Sequence, residues 1–321
     1  MRFTNQDYQS FKTLVRLNQD KLRKTLYLTL AKTYGRKKVK NDIDYIYAIG
    51  DIPVALVAHM DTVFPVPPQD IYFDRAQGIM WSPDGLGADD RAGVFSILKI
   101  ISEGYMPHII FTSDEELGAR GALQLSKIPC PFKDLRFIIE LDRRGVDDCV
   151  FYDCANEEFE KFIEEFGFHS EWGSFSDISE ICPAWGVAGV NLSVGYQDEH
   201  SYVETLNVRH LLETVEKVKN ILDVAPQVSQ FKYIKGNRFL LNYFTKCSIC
   251  GKVEPNIEMI DVYDADYHKK YICGNCLDNE NVEWCEDCYE GFEPGVLNKV
   301  TGLCPRCAEK DRNRGYTKIC M

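Results

Sequence analysis

Four strand-like segments in this chain lead into a histidine or a carboxylate, and that arrangement limits what it can fold into. Val54 to Ala58 runs into His59-Met60-Asp61, and Ile109 to Phe111 into Thr112-Ser113-Asp114-Glu115-Glu116. Phe137 to Leu141 runs into Asp142, and Val187 to Val194 is followed closely by Asp198, Glu199 and His200. The first of these, a short continuous apolar run, reads as a strand buried on both faces, and the other three segments read as strands. Helical spacing lies between and around them. Ala92 to Ile101 places Val94, Ile97, Leu98 and Ile101 on one face, and Ala119 to Lys127, Asn156 to Phe166 and Val208 to Val224 follow. Upstream, Tyr8 to Tyr34 carries Phe11, Leu14, Val15, Leu22, Leu26 and Leu30, with Asn18 and Gln19 dividing two helices. Tyr45 to Ile49 alternates as a strand before a turn at Gly50-Asp51. Strand–helix alternation of this kind predicts an α/β domain, three-layer α/β/α with a mostly parallel central sheet.

In open α/β sheets, ligands bind outside the carboxyl ends of the strands. A lone His or Asp there is usually a cap or a surface group. Here a fifth site joins the four, the pair Asp89-Asp90 just before a helix. Several carboxylates brought together and buried are costly unless a cation holds them. A divalent metal pair would do so. Nitrogen and carboxylate ligands without cysteine suit zinc, and also cobalt or manganese.

Three motifs carry a resemblance. His59-Met60-Asp61-Thr62-Val63, Gly87-Ala88-Asp89-Asp90-Arg91-Ala92-Gly93 and Thr112-Ser113-Asp114-Glu115-Glu116-Leu117-Gly118 resemble, in order and spacing, those of the dizinc exopeptidases. That superfamily includes peptidase T, glutamate carboxypeptidase and bacterial leucyl aminopeptidase. The resemblance covers roughly residues 5 to 225. It implies a metal-dependent hydrolase of amide bonds with two catalytic Zn2+, or Co2+ or Mn2+ in their place. In that reading His59 and Asp142 hold one ion, Glu116 and His200 hold the other, and Asp89 bridges them. Asp61 orients the His59 imidazole, Glu115 is the general base, and the Asp89–Asp90 peptide bond is cis. Ser176-Asp177 resembles a supporting pair of the aminopeptidase branch. Glu140, two residues before Asp142 and on the same face of its strand, is a rival ligand.

The sequence also departs from those relatives. Arg91 stands where some branches have lysine. The intervals from His59 to Asp89 and from Asp142 to His200 are too short for the inserted lid or dimerisation domain of about a hundred residues that some relatives carry. The expectation is a catalytic domain over residues 1–234 without a lid insertion. The resemblance implies an exopeptidase, an aminopeptidase on short peptides. A deacylase or amidohydrolase on an N-acyl substrate is the alternative within the same chemistry, and a non-catalytic zinc-ribbon adaptor is the alternative outside it.

Of 13 cysteines, eight form four Cys-x-x-Cys pairs, all after residue 246, which is how metal sites cluster and disulfide frameworks do not. Residues 235–321 therefore read as a zinc-ribbon-like module with two structural Zn2+. Cys247, Cys250, Cys273 and Cys276 make one four-cysteine site, and Cys285, Cys288, Cys304 and Cys307 the other. An interleaved pairing stays open. Trp284, Tyr289 and Phe292 offer either a contact patch for a protein partner or a small core, and His268 is a spare ligand.

A net charge of -12 disfavours nucleic-acid and anionic-membrane partners, although Met1 to Lys40 is cationic. No run approaches a membrane helix. The expected setting is reducing and cytoplasmic. His108 reads as a cap or surface group, His169 as a candidate for the border of a substrate cleft, and Cys130, Cys149, Cys154 and Cys182 as buried or neutral thiols.

Overall fold

The computed structural model describes residues 2–236, 244–255, 259–265, 269–279 and 282–308. The chain divides into two compact units, Met1–Gly236 and Asn237–Met321.

Unit one opens with helices α1 (Asn5–Val15) and α2 (Gln19–Tyr34). A reciprocal cap starts α1: the Asp7 N–H donates to Thr4 Oγ1 at 3.1 Å, and the Thr4 N–H donates to Asp7 Oδ2 at 2.8 Å. Asn18 Oδ1 accepts the Lys21 N–H and starts α2, so the division expected at Asn18 is a helix cap.

Strands β1 (Val39–Asn41), β2 (Tyr45–Ala48), β3 (Ile52–His59), β4 (Tyr72–Asp74) and β5 (Ile79–Trp81) follow. Then come α3 (Ala88–Ser102), β6 (Pro107–Thr112), α4 (Arg120–Leu125), β7 (Phe137–Arg143), β8 (Asp148–Val150) and α5 (Glu157–Glu164). The unit continues with β9 (His169–Ser170), α6 (Ile178–Trp185), β10 (Gly189–Ser193), β11 (Tyr196–Gln197), β12 (Thr205–Asn207) and α7 (Val208–Val224).

The main sheet has the order β1-β2-β6-β3-β7-β10-β8-β9, and its four central strands, β6, β3, β7 and β10, run parallel. Alternation along β3 divides the core. Val54, Leu56 and Ala58 pack into one cluster with α1, α2, α3 and α7, while Ala55 and Val57 pack into the other with α4 and α6. That two-sided burial is why β3 reads as an unbroken apolar run. Leu56 is fully buried, and cutting it to alanine would cost about 2–5 kcal/mol.

A second sheet, β11-β12-β5-β4, was not evident from the sequence. Its strands are two or three residues long, too short for alternation to register. Helix α6 was also missed, because eight residues with an internal Pro183 give no helical period.

The carboxy-terminal unit holds a hairpin, β13 (Phe244–Lys246) with β14 (Val253–Pro255). A four-stranded sheet, β16-β15-β18-β17, is built from β15 (Met259–Tyr263), β16 (Lys269–Cys273), β17 (Glu283–Trp284) and β18 (Gly291–Phe292). Its two small cores are centred on cysteines. Cys247 and Cys273 pack with Met259, Val262 and Ile272, and Cys285, Cys304 and Cys307 pack with Phe292 and Leu297. Phe292 is thus core, whereas Trp284 and Tyr289 are exposed. His268 and Cys320 lie outside the described residues. Among the described residues no helix is long and apolar enough to cross a membrane.

Candidate metal centre

The parallel strands converge on one patch. His59 is the last residue of β3, Asp142 lies next to the last of β7, and Glu115 and Glu116 sit in the turn after β6. His200 lies in the loop after β11, with φ +62. Asp89 and Asp90 lie at the start of α3 but have non-helical backbone angles, and the peptide bond between them is cis.

Asp89 stands between the two imidazoles. His59 Nε2 is 3.0 Å from Asp89 Oδ1, and His200 Nε2 is 3.2 Å from Asp89 Oδ2. His59 Nε2 is also 3.5 Å from Asp142 Oδ1, and His200 Nε2 is 3.0 Å from Glu116 Oε2. Two three-residue sets result, His59-Asp142-Asp89 and His200-Glu116-Asp89, sharing one carboxylate. Asp90 is also near, since an Asp90 oxygen falls within 4.8 Å of ligand atoms of His59 and Asp142. Its oxygens, however, accept backbone N–H groups of His59 at 3.2 Å and Gly93 at 2.8 Å. Asp89 is therefore the bridging candidate. Glu140, the rival to Asp142, is fully buried and approaches neither histidine within ion-pair distance.

The supporting groups are as ordered as the candidate ligands. Asp61 Oδ1 lies 3.2 Å from His59 Nδ1 and accepts the Glu115 N–H at 3.0 Å, while Oδ2 accepts the Glu116 N–H at 3.0 Å. One carboxylate thus fixes an imidazole and the Glu115-Glu116 turn together. Glu204, fully buried, accepts the N–H groups of Ala88 and Asp89, both at 3.1 Å. Arg91 donates to the carbonyls of Met60, Asp61 and Leu17, tying α3 to the loop after β3 and to the end of α1. Gln19 and Asp114 bond reciprocally, Gln19 Nε2 to Asp114 Oδ1 at 2.8 Å and the Asp114 N–H to Gln19 Oε1 at 3.2 Å. Asp142 accepts the hydroxyls of Tyr196 at 3.0 Å and Ser176 at 3.2 Å, and its own N–H donates to Asn191 Oδ1 at 2.9 Å. Thr112 donates to Asp177.

The electrostatics favour a cation. Burial, then the charge of Asp89, pushes Asp142 up to about 6, although His59 pulls it down. Burial pushes Glu115 up to about 9, with His59 offsetting and Asp142 and Asp177 adding. Burial, then Asp177 and Asp142, raises Glu140 well above the carboxylate range. Hydrogen bonds to Asp89 and Glu116 lift His200 to about 11. Burial opposes charge on His59, yet Asp142 and Asp61 overcome it and raise that group well above its ordinary value. Carboxylates this close destabilise one another's charged forms, and bound divalent ions relieve that conflict. Glu116 Oε1 is buried without a hydrogen-bond partner, as a free coordinating oxygen would be. The donor set, imidazole nitrogens and carboxylate oxygens, fits zinc, cobalt or manganese.

No family model matches the chain, and no curated protein matches it. Solved structures do. An aminopeptidase PepT from Bacillus cereus aligns over 68% of this chain and 98% of its own, at 15% identity and a TM-score of 0.53. A tripeptidase from Staphylococcus aureus aligns over 69% and 98%, at 15% identity and a TM-score of 0.55. A TET aminopeptidase from a marine sediment thaumarchaeote aligns over 70% and 98%, at 11% identity and a TM-score of 0.54. The chain shares the fold of these peptidases. Within that fold the expected five residues, His59, Asp89, Glu116, Asp142 and His200, come together, with Asp61 and Glu115 beside them. Glu204, Gln19, Asn191 and Tyr196 were not singled out from the sequence. Glu204 had a signal, lying four residues after His200, but a carboxylate accepting backbone N–H groups has no pattern of its own.

Two histidine expectations change. His108 is buried, its Nδ1 accepting the Gly50 N–H at 3.0 Å and its ring stacked on Phe132, because β6 is covered on both faces. His169 is exposed on edge strand β9, 3.2 Å from Asp147, and does not border the cleft beside the centre.

In the second unit the sulfurs cluster in sequential order, Cys247, Cys250, Cys273 and Cys276 in one group and Cys285, Cys288, Cys304 and Cys307 in the other. Cys250 and Cys273 Sγ are 3.8 Å apart, and Cys288 and Cys304 Sγ 3.9 Å. A zinc ion about 2.3 Å from four tetrahedral sulfurs separates them by about 3.8 Å. Backbone N–H groups of Cys273 and Cys304 point at Cys247 Sγ (3.5 Å) and Cys285 Sγ (3.3 Å), which favours thiolates. The described cysteines form no disulfide.

Proposed function

We propose that the chain is a metallo-aminopeptidase that hydrolyses the amide bond of short peptides at this centre. The observation that carries the reading is the shared Asp89, each oxygen facing a different histidine. His59 and Asp142 would hold one ion, His200 and Glu116 the second, with Asp89 between them. Two divalent ions bound there would supply Lewis acidity toward the scissile carbonyl and lower the pKa of a water.

The remaining work falls to the chain's own groups. Glu115 accepts the proton of the attacking water and returns it to the leaving nitrogen. Its backbone is pinned by Asp61, so its carboxylate is presented from a fixed turn. Asp61 also holds the His59 imidazole by Nδ1, leaving Nε2 for coordination. Glu204 fixes the Asp89 backbone, and Ser176, Tyr196 and Asn191 fix Asp142. The two cysteine clusters of the second unit are structural zinc sites in this reading.

The test is a screen of aminoacyl, peptidyl and N-acyl amides with the full chain loaded with zinc, cobalt or manganese. Release of amino-terminal residues supports the proposal. Cleavage confined to N-acyl substrates replaces it with a deacylase, and no turnover with both ions bound removes catalysis.

A further inference from the structure

A cleft of about 460 Å3 opens directly beside the centre, bordered by Asp61, Glu116 and Gly87. A volume of this size holds a small ligand. Leu17, Val63, Phe64, Val66, Leu86 and Leu117 form its walls. Val66 is 63% exposed and Leu117 59% exposed, a substantial apolar surface left open next to the candidate ligands. Solvating such a surface is unfavourable, and an apolar group seated against it removes that cost.

The cleft is formed in advance. Pro65, Pro67 and Pro68 restrict the loop after His59, and proline fixes φ. The Phe64 ring occupies the space a side chain at residue 85 would need, since a Cβ added to Gly85 would lie 2.2 Å from it. The Gln69 N–H donates to Asp84 Oδ2 at 3.0 Å, and Tyr8 donates to the Ile71 carbonyl at 3.3 Å. The opposite wall is the junction of α1 and α2, held by Arg91 on the Leu17 carbonyl and by the Gln19–Asp114 pair.

Its polar edge is acidic. Asp61, Asp114 and Glu116 border the cleft, and the cation among its lining residues, Arg91, is buried with its Nη atoms on carbonyls. An acidic side chain would meet no free positive partner. By contrast, a larger hollow of about 660 Å3 near Arg75, Arg209 and Lys217 touches none of the candidate ligands. Three of its cations are engaged, Arg209 on the Ala76 carbonyl, Lys217 on the Gly167 carbonyl and Arg75 over the Phe73 ring.

We infer that this cleft seats a bulky apolar side chain of the substrate next to the bond that is cut, so that the enzyme selects leucine- or phenylalanine-like residues over acidic ones. The inference rests on the hydrolase reading above, and Val66 is the residue that sets the preference.

The experiment compares kcat/KM for leucyl, phenylalanyl, alanyl, lysyl and glutamyl anilides, free and N-acetylated, with the zinc-loaded full chain and with Val66→Asp. A pocket contact of this kind discriminates by about 10–200-fold. The leucyl to glutamyl ratio should exceed about 100 in the wild type, and the lysyl to leucyl ratio should rise at least about tenfold in Val66→Asp, where a carboxylate replaces the apolar contact. Equal rates across the panel, or unchanged ratios in the variant, overturn the inference while leaving hydrolysis intact. If no substrate turns over, the hydrolase reading fails by itself. Calorimetry with leucine hydroxamate and glutamate hydroxamate then decides the cleft: tighter leucine binding that Val66→Asp abolishes supports it, and equal binding overturns it.

Discussion

The backbone N–H of Asp89 donates to Glu204 Oε1 at 3.1 Å, joining the start of α3 to a residue 115 positions later. The neighbouring Ala88 N–H donates to the other oxygen of the same carboxylate. Burial pushes Glu204 up to about 7, against the pull of these backbone bonds. Glu204→Ala leaves two buried N–H groups without their acceptor and loosens the residue that both ions would share. Removing a group that orients a ligand typically costs 10–100-fold in metal affinity. A fall of that size, measured by competition with a chromogenic chelator while the far-ultraviolet circular dichroism stays native, is expected. Unchanged affinity would show that Asp89 is held by other means.

Glu115→Gln preserves the size and the backbone bond to Asp61 but removes the proton acceptor. Both ions should remain bound at wild-type stoichiometry, and kcat should drop about 10²–10⁴-fold. Near wild-type turnover in the metal-loaded variant would sink the assignment of Glu115 as base.

Metal content separates the two units. The loaded chain should carry about four zinc equivalents, about two of them exchangeable, because four-thiolate sites are closed while a catalytic site keeps open positions. Cys250→Ser should remove one tight equivalent and unfold its cluster, since small modules of this kind fold with their metal. The two candidate catalytic ions should stay. Mass spectrometry under native conditions reads both counts.

His108 predicts a pH dependence of stability. Burial depresses it to about 4, so the folded chain holds it neutral, with Nδ1 accepting the Gly50 N–H. The unfolded chain binds this proton near pH 6.5 and the folded chain does so only near 4. Its contribution is therefore complete above pH 6.5 and is lost as pH falls from 6.5 to 4, reaching about 3 kcal/mol. His108→Asn, which keeps an acceptor but does not titrate, should be flatter over that window in urea titrations. An unaltered slope would assign the dependence elsewhere.

Reading the strands and the candidate ligands required only local pattern. The run before His59 is apolar at every position because β3 is buried on both faces, and the motif residues follow at the strand ends where an α/β sheet presents its site. The cysteine pairs were equally legible, since two thiolates in a Cys-x-x-Cys already have the bite of one metal. The burial of His108 was not legible, because only its place in a covered strand distinguishes it from a surface residue.

What the sequence by itself determined is the kind of chain and the kinds of ligand: an alternating α/β domain with histidine and carboxylate at its strand ends, then a module built on four cysteine pairs. Which groups meet was decided only by the tertiary structure. The order β6-β3-β7-β10 brings residues 59, 116 and 142 side by side, and Asp89 at the start of α3 and His200 in the loop after β11 meet them there. That proximity sets Asp89 as the bridging candidate over Asp90 and Asp142 over Glu140. It also makes Gln19 a clamp on the Glu115-Glu116 turn, and gives the loop after His59 an apolar cleft to enclose. Each of these depends on distances between residues far apart in the chain, and no local periodicity encodes them.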